Sequence, residues 1–203
     1  MKGMMARMAG VTAMLFALAA QAQAPAAPAE GPDAVVKSTV DEVLAVIRET
    51  KDARAIVDLA EKKVLPRFDF QRMTQLAVGR SWAQASTAQQ QALERAFRTL
   101  LVRTYTTALT QSSGATKVEV KPANVQPGAS EATVRTVVIE PGRKPIAIDY
   151  RMSRNPEWKV YDVVVEGLSL VTNYRGSFQS EITRSGIDGL IKVIENKNEQ
   201  LKG

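Results

Sequence analysis

Few side chains in this sequence could do chemistry. Among its 203 residues there is no cysteine and no histidine. That excludes a thiolate nucleophile, a disulfide framework, Cys-ligated zinc or iron-sulfur sites, and any Ser-His-Asp or Cys-His arrangement. Carboxylate, lysine and tyrosine chemistry remain. Asp149 and Asp162 could form an acid-base pair if a curved sheet brought them into one pocket, but solvation or pairing with an arginine such as Arg151 is the expected fate of each. The phosphate loop Gly-x-x-x-x-Gly-Lys and the patterns Gly-x-Gly-x-x-Gly, Ser-x-x-Lys and Gly-x-Ser-x-Gly are all absent from the chain. No catalytic residue, metal ligand or cofactor is expected, and the chain does not read as an enzyme. From Arg143 to Lys159 the basic residues Arg143, Lys144, Arg151, Arg154 and Lys159 outnumber Asp149 and Glu157. Such an excess suits a solvated sheet face, or contact with anionic headgroups or an acidic partner. No Lys/Arg cluster interleaved with aromatics is present, so nucleic acid is not an expected partner.

The elements that must position these residues begin after an export signal. Met1 to Arg7 carries Lys2 and Arg7, Ala9 to Ala20 is an uncharged apolar run, and Ala20-Gln21-Ala22 is a small-x-small cleavage pattern. The run is too short to span a bilayer, which needs about 20 residues. Residues 1–22 are therefore expected to be a signal peptide, and 23–32, rich in proline and alanine, a disordered tether. Residues 33–203 form a single expected domain of a size that buries roughly 70% of its unfolded surface. Removing Lys2 and Arg7 takes the 27 basic side chains to 25 against 21 acidic ones, so the net charge falls from +6 to +4.

Helical periodicity comes first. Asp33 is the expected cap of a helix with the stripe Val36, Val40, Val43, Leu44 and Ile47. Asp52 opens a second, with Ile56, Leu59, Ala60 and Val64, stopped by Pro66. Asp69 caps a short third that exits at Gly79. Thr87 and Gln90 form a capping box for the longest helix, striped by Leu93, Phe97, Leu100, Leu101 and Tyr105. After Gly114 the period drops to 2. Four strands follow, around Val118 and Val120, Ala132–Glu140, Ile146–Met152 and Trp158–Glu166, as an antiparallel meander. In the third, Ile146, Ile148, Tyr150 and Met152 share one face. The fourth is apolar on both sides, with Trp158, Val160 and Val164 on one and Tyr161, Val163 and Val165 on the other, so it is covered on both sides. Helical period returns with Val171, Tyr174, Phe178 and Ile182, and a last helix starts near Ser185-Gly186. The expected class is α+β: N-terminal helices, a four-stranded antiparallel curved sheet, then C-terminal helices.

The run Trp158-Lys-Val-Tyr-Asp-Val-Val-Val-Glu-Gly-Leu-Ser-Leu-Val-Thr-Asn-Tyr-Arg-Gly-Ser-Phe178, followed by Gly186-Ile-Asp-Gly-Leu-Ile191, resembles the MlaC-type periplasmic phospholipid-binding proteins, also described as toluene-tolerance auxiliary transport proteins. Phe68-Asp-Phe-Gln-Arg-Met73 with Gly79 and Trp82, and the segment Leu101 to Tyr105, have similar counterparts in that family. The resemblance spans about Val35 to Asn198. It implies an NTF2-like cone with an internal apolar cavity, a periplasmic location and no stable membrane insertion. It further implies a soluble carrier of phospholipid between an outer-membrane lipoprotein complex and an inner-membrane MCE-domain ABC transporter, the Mla pathway of outer membrane lipid asymmetry. The other class open to the sequence is a periplasmic interaction module or chaperone with a filled core and no lipid.

A carrier of this kind solves a definite problem. A diacyl lipid exposes on the order of 30 methylenes, and at about 0.8 kcal/mol each its passage through water would cost over 20 kcal/mol. A wall about as apolar as the bilayer makes extraction nearly neutral. The candidate lining residues are Val138 with Ile146, Ile148 and Tyr150 on the sheet, one face of the fourth strand (Val163 and Val165, or Val160 and Val164), and Phe97, Leu101, Tyr105 and Tyr174 on the helices. Tyr105 and Tyr150 are the better polar candidates, since a phenol sits in an apolar wall while its hydroxyl meets an ester or phosphate.

Overall fold

The computed structural model describes residues 30–50, 52, 55, 58–110 and 115–201. The expected signal peptide and most of the tether lie outside these residues. Helix α1 (Pro32–Glu49) starts with Gly31 as its N-cap and Pro32 in its first turn, where a missing N–H costs nothing. Asp33 is thus inside the first turn, and its Oδ2 accepts from the Ala123 N–H at 3.4 Å. The cap expected at Asp33 is displaced by the proline. Ile56 and parts of its neighbourhood lie outside the described residues. Of the expected second helix, Ala55, Asp58 and Leu59 are helical, and the chain then widens into a π-turn, Ala60–Val64, running into a 3-10 turn, Leu65–Arg67, that contains Pro66.

Helix α2 (Phe70–Val78) is capped by Asp69, whose Oδ1 accepts from the Arg72 N–H at 2.9 Å, and ends at Gly79 with φ 64°. Helix α3 (Thr87–Thr110) has its capping box one residue earlier than Thr87 and Gln90: the Ser86 N–H donates to Gln89 Oε1 at 3.0 Å and the Gln89 N–H to Ser86 Oγ at 3.2 Å. Ser86 and Thr87 are equally good caps by type, and the exit of the preceding turn at Ala85 selects the first.

The sheet has five strands, not four: β1 (Lys117–Val120), β2 (Glu131–Ile139), β3 (Ile146–Arg154), β4 (Trp158–Val165) and β5 (Leu168–Ser169), antiparallel neighbours in chain order. The extra strand comes from the turn after β4. Glu166 (φ 49°) and Gly167 (φ 83°) both have positive φ, the signature of a two-residue hairpin, which folds Leu168 back onto Val165. Ser169 then accepts from the Thr172 N–H at 3.0 Å and caps helix α4 (Leu170–Gln200). At Gly186 the backbone leaves the helix (φ 73°, ψ −176°), so α4 is two arms joined at the expected Ser185-Gly186 boundary.

The buried side chains divide into two clusters. One is helical: Met73, Ala77 and Val78 of α2 with Leu93, Phe97, Leu100 and Leu101 of α3 and Phe178, Leu190 and Ile194 of α4. The other joins α1 to the sheet through Val35, Val36, Val134, Met152, Trp158 and Val160. Phe68 packs against both.

The register of β3 against β4 shifts between Arg151 and Met152: Met152 faces Val160 but Arg151 faces Asp162, leaving Tyr161 as the extra residue of a β-bulge. Residues opposite each other in the ladder share a face, so Trp158, Val160, Val163 and Val165 lie on the α1 side with Met152, Tyr150 and Ile148. Asp162 and Val164 turn to the other side. The grouping of Val164 with Trp158 and Val160, expected from simple alternation, is corrected by this one residue. The bulge also leaves the Val160 carbonyl to accept from the Asp69 N–H at 2.8 Å, which docks Phe68 on β4. The ring of Tyr161 carries the Arg72 guanidinium 3.8 Å from its centroid.

Candidate ligand-binding cavity

Between α1 and the sheet lies a cavity of about 420 Å³. The valines and Leu44 and Ile47 of the α1 stripe form its roof, and Val118, Val138, Ile146, Ile148, Tyr150, Met152 and Val160 its floor on β1 to β4. Val64, Arg67 and Phe68, from the two turns before α2, close one side. Local sequence explains each surface. The strand alternation that puts Ile148 and Tyr150 inward puts Asp149 and Arg151 outward. The amphipathic stripe of α1 must bury its apolar side, and the sheet is the surface it covers.

Several polar groups in and beside the lining have local partners. Thr136 Oγ1, beside the lining, donates to the Ile148 carbonyl at 2.9 Å. Burial pushes the Tyr150 phenol above its ordinary value, and the neighbouring Thr136 hydroxyl offsets part of that rise. Glu140 Oε1 accepts from Thr116 Oγ1 at 3.2 Å and Oε2 from Arg143 Nη1 at 2.9 Å.

The expected lining residues fall in different places. Val138, Ile146, Ile148 and Tyr150 line the cavity. Val163 packs against the α1–sheet cluster and Val165 shares its face, although neither is in the cavity lining. Phe97 and Leu101 are buried in the helical cluster, and Tyr174 packs against it. The Phe97 ring meets those of Tyr174 and Phe178 edge-on at 5.1 and 5.2 Å. Tyr105 is partly exposed, hydrogen-bonded to Tyr174, and its phenol is raised by burial and then by that neighbour. Missed from the lining was the α1 roof, whose stripe looks the same whether its partner surface is filled or hollow.

The two aspartates considered for catalysis stand away from the cavity. Asp162 is 3% exposed; its Oδ2 accepts from Ser169 Oγ at 2.7 Å and from Arg151 Nη1 at 3.2 Å, and its Oδ1 from the Val171 N–H at 3.2 Å. It ties β4 to the start of α4, a structural task. Asp149, opposite Val164, shares that outer face. Among the described residues no group of three or more carboxylates is arranged to hold a metal ion, and no helix is long and apolar enough to cross a membrane.

With this geometry in view, the comparisons with known proteins are specific. The sequence matches the family described as "MlaC protein" over residues 37–196. A solved structure from Ralstonia solanacearum, described as a phospholipid-binding protein in complex with a phospholipid, is similar with 38% identity and a TM-score of 0.78. The match covers 85% of this chain and 99% of that one.

Proposed function

The chain belongs to the MlaC family, and from that premise we propose that it is a phospholipid-binding carrier rather than an enzyme. The acyl chains occupy the cavity between α1 and the sheet. The observation that carries this reading is the cavity itself. Its volume lies in the roughly 300–1,000 Å³ range of ligand sites, and its lining is aliphatic apart from a few groups at its edges. The cavity opens to solvent at one end, so without a ligand its apolar wall meets water, at roughly 25 cal/mol per Å² of apolar surface left exposed. Acyl chains are an occupant matched to such a wall. The phospholipid-bound relative supports the class of that occupant.

Shuttling follows as a further part of the proposal. Residues 1–22 direct the chain to the periplasm, 23–32 are a tether, and the domain from 33 onward exchanges lipid between an outer-membrane lipoprotein complex and an inner-membrane MCE-domain ABC transporter. The apolar cone of sheet and helices shields the chains during transit. The test is direct: the protein is purified without detergent and extracted with organic solvent. Stoichiometric phospholipid is expected. Its absence, even after incubation with vesicles, overturns the carrier and favours a module that acts through its surface alone.

A further inference from the structure

The cavity wall changes character along the strands. At the end near Val134 and Met152 the side chains are fully buried, both at 0% exposure, whereas Ile146 at the other end is 40% exposed. Beyond Ile146 the β2–β3 turn brings Glu140 and Arg143 into the lining. The remaining charged wall residue, Arg67, precedes Phe68, whose bridge to Val160 puts it at the Met152 end of the strands, away from this turn. Among the described lining residues, the open end therefore offers one anion and one cation.

The turn builds that pair. Pro141 and Gly142, the latter with φ 77°, are the central residues that a tight turn with positive φ at its third position requires, and the Arg143 N–H donates to the Glu140 carbonyl at 3.1 Å. The two side chains are thereby set side by side. They are not equally free. The Glu140 side chain is 17% exposed and held from below by Thr116, while that of Arg143 is 72% exposed. The carboxylate is the fixed member and the guanidinium the movable one.

We propose that this pair reads the lipid headgroup and favours zwitterionic phosphoethanolamine lipids over anionic phosphoglycerol lipids with the same acyl chains. The inference rests on the carrier reading. A lipid seated with its chains toward Val134 and Met152 brings its phosphodiester to the Glu140–Arg143 end, and Arg143 turns from Glu140 to the phosphate, for which a guanidinium has matching geometry. That leaves Glu140 Oε2 without its cation in a mostly enclosed position. A primary ammonium two carbons from the phosphate restores the lost ion pair, so every charge ends matched. A glycerol headgroup brings no cation and leaves the carboxylate facing a phosphate. Because Arg143 is largely exposed, the preference is modest, about two- to fivefold, in line with solvent-screened pairs.

The experiment offers the delipidated protein vesicles with equal amounts of phosphatidylethanolamine and phosphatidylglycerol of matched acyl composition, and measures both lipids on the recovered protein by mass spectrometry. The wild type is expected to enrich phosphatidylethanolamine about two- to fivefold, Glu140→Gln to bring the ratio to about one, and Arg143→Gln to lower loading of both lipids. Circular dichroism checks each fold, and Arg143→Gln, altering an exposed side chain, is read even if Glu140→Gln does not fold. A wild-type ratio near one, or loading and ratio unchanged in both variants, overturns the headgroup proposal while leaving the carrier intact. A wild type that takes up neither lipid overturns the carrier, and this proposal with it.

Discussion

Phe97 and Ile148 are both apolar side chains on regular elements, and they end in opposite surroundings. Phe97 is fully buried, with two aromatic rings within 5.2 Å and the aliphatics of three helices around them. Ile148 faces a cavity of about 420 Å³ beneath α1. The helical region is finished as a core, filled by its own side chains. The sheet region packs only part of its α1-facing side, around Val134 and Trp158, and keeps a hollow over Ile146 to Met152. Stability is thus concentrated in one layer, which allows the other to keep a space whose filling is left to a ligand.

That contrast breaks most visibly at Ile148. Ile148→Asp sets a carboxylate in the apolar floor, where an unpaired charge carries a steep desolvation penalty in the presence of acyl chains. The empty cavity admits water to the same site, so the fold should survive. Phospholipid recovered per protein should fall by about tenfold or more, with the circular dichroism spectrum retained. Unchanged lipid would remove β3 from the binding wall.

The opposite result is expected in the helical layer. Phe97→Ala should cost about 3–5 kcal/mol, lowering the melting temperature by roughly 10 °C, because three packed rings lose their centre. Lipid per folded molecule should stay at the wild-type level. A thermal scan paired with lipid extraction separates the two effects, and a proportional loss of lipid would mean that the two layers are coupled.

The same contrast explains which parts of the molecule were legible in its sequence. The inward face of β3 could be read residue by residue, because a strand with period 2 and one polar side admits a single orientation. The helix stripes were readable as stripes, but not as partners. Val36, Val40 and Ile47 on α1, and Phe97 and Leu101 on α3, follow the same spacing, and only the tertiary path decides that the first set roofs a hollow while the second fills a core. The bulge at Tyr161 left no mark in the alternation, since valines stand on both sides of it. β5 was hidden for a related reason: Leu168-Ser169 is too short for periodicity, and the Glu166-Gly167 turn that creates it depends on backbone angles rather than on a long pattern.

A smaller effect should follow from closing the hollow without charge. Val138→Phe adds volume at the half-buried end of the floor, so the empty protein should gain about 0.5–2 kcal/mol while lipid loading drops a few-fold. Denaturant midpoints of delipidated wild type and variant measure the first, and lipid extraction the second. A variant that is destabilised instead would show that the cavity wall is already tightly packed at this point.

The finest distinction lies in two phenols. Burial raises both Tyr150 in the cavity floor and Tyr174 beside the helical core, and each is pulled partly back by neighbouring hydroxyls, that of Thr136 for the first and those of Thr104 and Tyr105 for the second. A phenol raised above its ordinary 10.0 favours the neutral form in the folded state. Its contribution to stability is complete below that pH and is lost as pH rises through the folded value. The surroundings differ in one respect: Tyr174 is half-buried against the helical core, away from the cavity, whereas Tyr150 is part of the cavity floor. Lipid should therefore drive the Tyr150 titration further up and leave that of Tyr174 where it is, extending alkaline stability only through the first. Tyrosinate absorbance followed against pH in lipid-loaded and delipidated protein, with Tyr150→Phe to assign the moving component, makes the measurement. A lipid-induced shift that survives in Tyr150→Phe would relocate the ligand from the sheet to the helices and dissolve the division between the two layers.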